Sequence, residues 1–131
     1  MRSAVTAVAL STLLLLGQPA PATAKRGCQT RACHERVAAK QCSQTRVIPC
    51  IRRAAIRYRV SYSTLLRKAR CESGLNPYAR NPSGSSGLFQ FLPSTWATTP
   101  YARRSIWSAK WNSLAAGWMH AAGRGGEWVC K

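Results

Sequence analysis

Aspartate is absent from this chain of 131 residues, and only three glutamates, Glu35, Glu72 and Glu127, stand against 20 Lys and Arg. Any chemistry that needs two facing carboxylates must therefore draw on these three. No C-x-x-C pair occurs, which counts against a metal site built from Cys33, the adjacent His34 and other cysteines. Internal repeats, a β-rich alternation and a long low-complexity linker are missing as well. Beyond residue 24 no apolar run approaches the ~20 residues that a membrane-spanning helix requires. The basic residues form no aromatic-basic pattern of the kind that reads nucleic acid, so a nucleic-acid role rests on charge alone.

What is present begins with MRSAVTAVALSTLLLLGQPAPATA. A basic start at Arg2, an apolar stretch near residues 4–16 and Ala22-Thr23-Ala24 describe a secretory signal peptide over residues 1–24, cleaved after Ala24. The apolar stretch is too short to serve as an anchor, so the mature chain is expected to be exported, to the cell wall or beyond. All six cysteines follow the cleavage site, and an even count in a short exported chain predicts three disulfides. Their connectivity does not follow from sequence. Losing Arg2 with the leader leaves a formal charge of +16 from the original +17. That excess draws the protein toward polyanions, whether nucleic acid, anionic membrane or anionic wall polymers, and says little about fold.

Residues 25–46 read as a basic, cysteine-rich extension, with a short helix in RACHERVAAKQC that disulfides must hold because it has few large apolar side chains. Residues 47–131 read as one domain. Val47, Ile51, Ala54, Ala55 and Tyr58 recur at helical spacing with Arg52, Arg53, Arg57 and Arg59 largely opposite, and Pro49 suits the first turn. After a break near Val60, Ser61 or Ser63 caps a second helix that turns Leu65, Leu66 and Ala69 inward and stops at Gly74. Glu72 thus falls in the last turn of a helix, at the mouth of a Gly-, Ser-, Asn- and Pro-rich loop. Gly87 to Leu92 is a short apolar run, strand or helical turn. Pro93 starts another helix, and Trp107, Trp111, Leu114, Ala115, Trp118 and Ala122 mark the face of a last one. The predicted fold class is mainly α.

Taken alone, Glu72 is either a surface carboxylate paired with an arginine or a proton donor in a partly apolar cleft, with Leu75, Phe89 and Phe91 as candidate walls. Its surroundings favour the second reading. Cys71-Glu72-Ser73-Gly74-Leu75-Asn76-Pro77, then Gly84-Ser85-Ser86-Gly87-Leu88-Phe89-Gln90, then Pro93-Ser94-Thr95-Trp96 reproduce in order the pattern E-S-x-x-N-P, G-x-x-G-L-x-Q, P-x-T-W. The chain therefore resembles the lysozyme-like lytic transglycosylases, including compact exported relatives of the resuscitation-promoting-factor type.

That resemblance implies a small lysozyme-like domain acting on peptidoglycan glycan strands without a cofactor or metal. It makes Glu72 the catalytic acid at the bond between N-acetylmuramic acid and N-acetylglucosamine. Glu72 then serves as base on the C6 hydroxyl, which closes a 1,6-anhydro ring with help from the 2-acetamido group. A second acid is not needed, which suits a chain so poor in carboxylates. Gln90 and Ser73 match positions near the bound sugar, with loop ordering and helix capping as their alternatives. Phe91 is a candidate wall of the sugar site. Trp118 stands where many relatives carry a cleft tyrosine, and otherwise belongs to a core stripe. With Glu72 in this role, Cys71 is expected to pair with Cys130 and steady the helix end, leaving Cys28, Cys33, Cys42 and Cys50 to pair among themselves. The expected protein is a monomer, held on anionic wall polymers by charge and without a specific nucleic-acid partner. The competing reading is a non-catalytic cationic protein that binds wall or membrane on the same fold.

Overall fold

The computed structural model describes residues 27–130; the signal peptide read over residues 1–24 lies outside them. Helix α1 (Arg31–Gln41) starts where the Thr30 hydroxyl accepts the Cys33 N–H at 3.1 Å. It buries only Ala38, so little apolar area holds it. Polar and covalent ties do so instead. Cys28 is bonded to Cys33 and Cys42 to Cys50. Arg31 Nη1 donates to the carbonyl of Ile56, and Glu35 Oε1 lies 3.2 Å from Arg57 Nη1 and 3.9 Å from Arg53 Nε.

Helix α2 (Val47–Tyr58) buries Val47, Cys50, Ile51, Ala54 and Ala55, while Arg52, Arg57 and Arg59 are exposed. It ends as Arg59 turns left-handed at φ 55°. Helix α3 (Tyr62–Ser73) is capped by the Ser61 hydroxyl, which accepts the Thr64 N–H, and stops at Gly74 with φ 60°. Both ends follow the sequence pattern, because a hydroxyl satisfies an orphan N–H at one end and glycine adopts the left-handed cap without strain at the other.

A five-residue helix α4 (Pro93–Ala97) and helix α5 (Ala109–Ala121) complete the fold, followed by a 3₁₀ turn at Gly125–Glu127. Helix α5 is buried nearly all round and packs chiefly on α2. Gly117 permits that approach, since a Cβ there would sit 2.9 Å from the Tyr58 ring and 3.1 Å from the Ala54 carbonyl oxygen. The predicted aromatic face is only partly realised. Trp107 precedes the helix, Trp111 and Trp118 are half-buried at its flanks, and Ala122 is exposed. Small residues at Ala115, Ala116 and Gly117 bring the backbones too close for indoles to lie between them. The Gly87–Leu92 run is neither strand nor helix; it makes turns and isolated bridges, with Ser86 and Phe91 exchanging hydrogen bonds of 2.9 and 3.0 Å. The described residues are thus mainly α, held by three disulfides.

Candidate active site

Three segments converge on the last turn of α3. The first is that turn itself, which presents Glu72. The second is the loop from Ala79 to Leu92. The third is the C-terminal strap, residues 123–130, which crosses back over α3.

The loop is organised by uncharged groups. Asn81 Oδ1 accepts from the Ser85 N–H at 3.1 Å and the Ser83 hydroxyl at 2.6 Å. The Ser73 hydroxyl donates to the Leu88 carbonyl at 2.7 Å. Buried Asn112 of α5 accepts the Phe89 N–H and donates to the Ile106 carbonyl, each at 2.8 Å. Gln90, itself left-handed at φ 49°, sends Nε2 to the carbonyls of Ala79 and Gly87 at 2.8 Å. Two carbonyl acceptors demand the amide NH₂, which fixes the orientation of the group. Its Oε1 takes no hydrogen bond from the described residues.

The strap is tied differently. Cys71 and Cys130 are disulfide-bonded, with Cα atoms 6.0 Å apart. The Cys130 N–H donates to Glu72 Oε1 at 3.2 Å. Lys68 Nζ donates to the carbonyls of Gly125 (3.2 Å) and Cys130 (2.5 Å). The Trp128 indole N–H donates to the Phe89 carbonyl at 2.6 Å, and its ring stacks on His120 with centroids 5.5 Å apart. Burial, and secondarily the charge of Lys68, hold the His120 pKa below the ordinary histidine value.

Between loop and strap lies a cavity of about 280 Å³ into which Glu72 opens. Phe91, Leu92, Met119, Trp128 and Val129 supply apolar lining; Asn81, Ser83, Ser85, Gln90 and Thr95 supply polar groups. Glu127 stands at the edge in an ion pair with Arg124. Glu35 is paired with Arg53 and Arg57 on the far helix pair. Among the described residues, Glu72 is the glutamate without an ion pair. Its neighbours in sequence, Arg70 and Arg80, are exposed and make none with it.

The structure brings Glu72, Gln90 and Phe91 to one cavity. Ser73 stands behind it, bracing the loop through Leu88. Phe89 is fully buried in the core and Leu75 does not line the cavity, so of the three candidate walls only Phe91 serves. Trp118 is elsewhere, beneath the Arg124 guanidinium. Successive helix positions point about 100° apart, and it is Met119, one residue on, that α5 turns toward the cavity. The aromatic wall comes instead from Trp128, which sequence reasoning passed over. A pairing of Cys130 with Cys71 carries that signal: a residue two positions from Cys130 lies within about 7 Å of it along the chain. No group of three His, Cys, Asp or Glu side chains suited to a metal occurs among the described residues.

One unpaired carboxylate in a cleft lined by both apolar and hydroxyl groups, on a disulfide-stapled helical scaffold, describes a site for acid–base chemistry on a polar, ring-bearing substrate. The family model for the transglycosylase SLT domain matches residues 49–114, which include α3, Glu72 and the whole loop. The chain belongs to this family, whose members are lysozyme-like lytic transglycosylases of peptidoglycan. No curated protein and no solved structure matches it. The strap lies beyond the matched residues.

Proposed function

We propose that the chain is an exported, monomeric lytic transglycosylase in which Glu72 is the single acid and base. Glu72 gives its proton to the oxygen between N-acetylmuramic acid and N-acetylglucosamine as the C1–O bond breaks. The carbonyl oxygen of the 2-acetamido group closes on C1 and carries the developing charge. The Glu72 carboxylate then takes the proton of the C6 hydroxyl, whose oxygen displaces the acetamido group and leaves a 1,6-anhydro end. The observation that carries this reading is the placement of Glu72: inside the family-matched segment, facing the cavity, and outside the ion pairs that occupy Glu35 and Glu127. Glu35 lies on the far helix pair, and Glu127, at the cavity's edge, is held in an ion pair with Arg124, which leaves Glu72 as the unpaired carboxylate among the described residues and favours a single-acid mechanism over a two-carboxylate one. Gln90 Oε1 and the hydroxyls of Ser83, Ser85 and Thr95 are suited to a sugar's hydroxyl and amide groups, and Phe91 and Trp128 to its apolar faces. The formal charge of +16 would hold the enzyme on anionic wall polymers through an attraction that salt screens.

Digestion of purified peptidoglycan by the mature protein, followed by mass spectrometry, tests the proposal. The wild type is expected to release fragments lighter by one water than their reducing-end counterparts, and Glu72→Gln to release none. Reducing ends would make the enzyme a hydrolase. An effect of the protein on cells that survives Glu72→Gln would belong to its charge.

A further inference from the structure

Lys68 lies one helical turn before Glu72 with only 4 % of its surface exposed. A buried ammonium is costly unless hydrogen bonds meet it, and this one makes two to the strap. It holds the carbonyl of Gly125 where the strap begins and that of Cys130 where it ends, and its Nζ stands 5.1 Å from the centroid of the Trp128 ring between them. Cys130, whose carbonyl Lys68 holds, passes its own N–H to Glu72 Oε1. Residues four apart on a helix share a face, so the backbone of Cys130 is gripped by two side chains of α3. One is Lys68, below; the other is Glu72, above. The Cys71–Cys130 bond fixes where the strap ends but leaves its peptide groups free to rotate. Lys68 removes that freedom.

We infer that Lys68 is a positioning residue for the Glu72 carboxylate, acting through the Cys130 backbone and the Trp128 wall. The inference rests on the reading of Glu72 as the acid. With Oε1 held by the Cys130 N–H, Oε2 is the oxygen left for the substrate, since it takes no hydrogen bond from the described residues. A general acid must lie within hydrogen-bond reach of the oxygen it protonates. A misplacement of about 1 Å costs on the order of 100-fold in rate. The strap lies outside the family-matched residues and Glu72 inside them, so this contact joins the family-matched segment to a wall that lies beyond it.

The test compares mature wild type, Lys68→Met and Glu72→Gln. Lys68→Met is expected to fold with the Cys71–Cys130 bond intact and to lose about 10- to 100-fold in kcat on peptidoglycan with little change in KM. In NMR spectra its Cys130 amide resonance is expected to move, as it also does in Glu72→Gln, where the charge of the acceptor is gone. Should Lys68→Met not fold, Lys68→Gln, which offers one NH₂ for two carbonyls, is read in the same way. A folded variant turning over at the wild-type rate would overturn the inference, as would a Cys130 amide indifferent to Glu72→Gln; in both cases the reading of Glu72 would stand. A wild type that releases no fragments would remove both.

Discussion

The two walls of the cavity are built on different principles. The loop from Ala79 to Leu92 lies inside the family-matched residues and is held by neutral donors and acceptors: Ser73, Asn81, Gln90 and Asn112. The strap lies outside them and is held by a disulfide, a buried ammonium, an imidazole stack and an arginine–glutamate pair. Neutral amides and hydroxyls neither titrate near neutral pH nor respond to reductant. Disulfides and histidines do. From this difference one wall of the cleft is expected to be indifferent to reductant and pH, and the other to respond to them. The Trp128 indole joins the two walls, through its hydrogen bond to the Phe89 carbonyl and edge-to-face contacts with the Phe89 and Phe91 rings.

The largest effect that should expose this contrast is a methyl group at Gly87. The residue has φ 82°, and an added Cβ would stand 2.4 Å from Asn112 Nδ2 and 2.5 Å from the Ile106 carbonyl oxygen. Backbone strain of about 1–3 kcal/mol adds to an overlap with main chain that cannot step aside. Gly87→Ala is expected to cost more than about 4 kcal/mol in a urea titration, in oxidising and reducing buffer alike. A loss under about 1 kcal/mol would show that the loop is more yielding than its hydrogen bonds indicate.

Removing the Cys71–Cys130 bond comes next. Cross-linking residues 59 apart contributes about 4 kcal/mol, chiefly by restricting the unfolded chain. The Cys71→Ser/Cys130→Ser pair is expected to lose about that much. Activity should fall further than stability explains, because the Cys130 N–H then leaves Glu72 more often. Limited proteolysis is expected to cut between residues 123 and 130 before it cuts the loop. Cleavage of the loop first would abolish the distinction between the two walls.

Legibility in the sequence follows the same divide. Helices α2 and α3 could be read because their determinants are local: apolar residues at helical spacing, Ser61 at one end and Gly74 at the other. The loop could be located through its turn residues, but not the partner that pins it. Asn112 sits 23 residues from Phe89 and, in sequence, is one polar residue on an apolar helix. Trp118 and Trp128 show the limit most clearly. An indole at helical spacing from others looks like part of a face, yet Gly117 and two alanines bring α5 so close to its neighbours that the indoles are displaced to the flanks. Trp128 carries no periodicity at all. Its place is set by a disulfide and by Lys68, which are long-range contacts that no local pattern encodes.

The smallest effect expected concerns His120, and it tests whether the strap responds to pH. The imidazole stacks on Trp128, its Nε2 is buried without a hydrogen-bond partner among the described residues, and a Cβ on Gly125 would come within 2.6 Å of its Nδ1. Lys68 is the cation that faces it from α3, and the Arg124–Glu127 pair closes the same turn of the strap. Burial and the Lys68 charge lower the pKa of His120 in the folded protein, so the folded state favours the neutral ring. In the unfolded chain the ring takes a proton as pH falls through about 6.5. Between those two values the unfolded state binds more protons, so stability rises with pH and is lost on acidification. The contribution of His120 is therefore complete above about pH 6.5 and is lost as pH falls through the lowered folded value. Thermal melts of the wild type are expected to drop by a few degrees more than those of His120→Gln between about pH 7 and 5, a window above the ordinary carboxylate range. In the same window, hydrogen exchange should quicken at residues 123–130 and stay unchanged at the Phe89 and Phe91 amides. Equal melting shifts in the two proteins would mean that the His120–Trp128 stack tolerates the charge, and that oxidation alone conditions the strap.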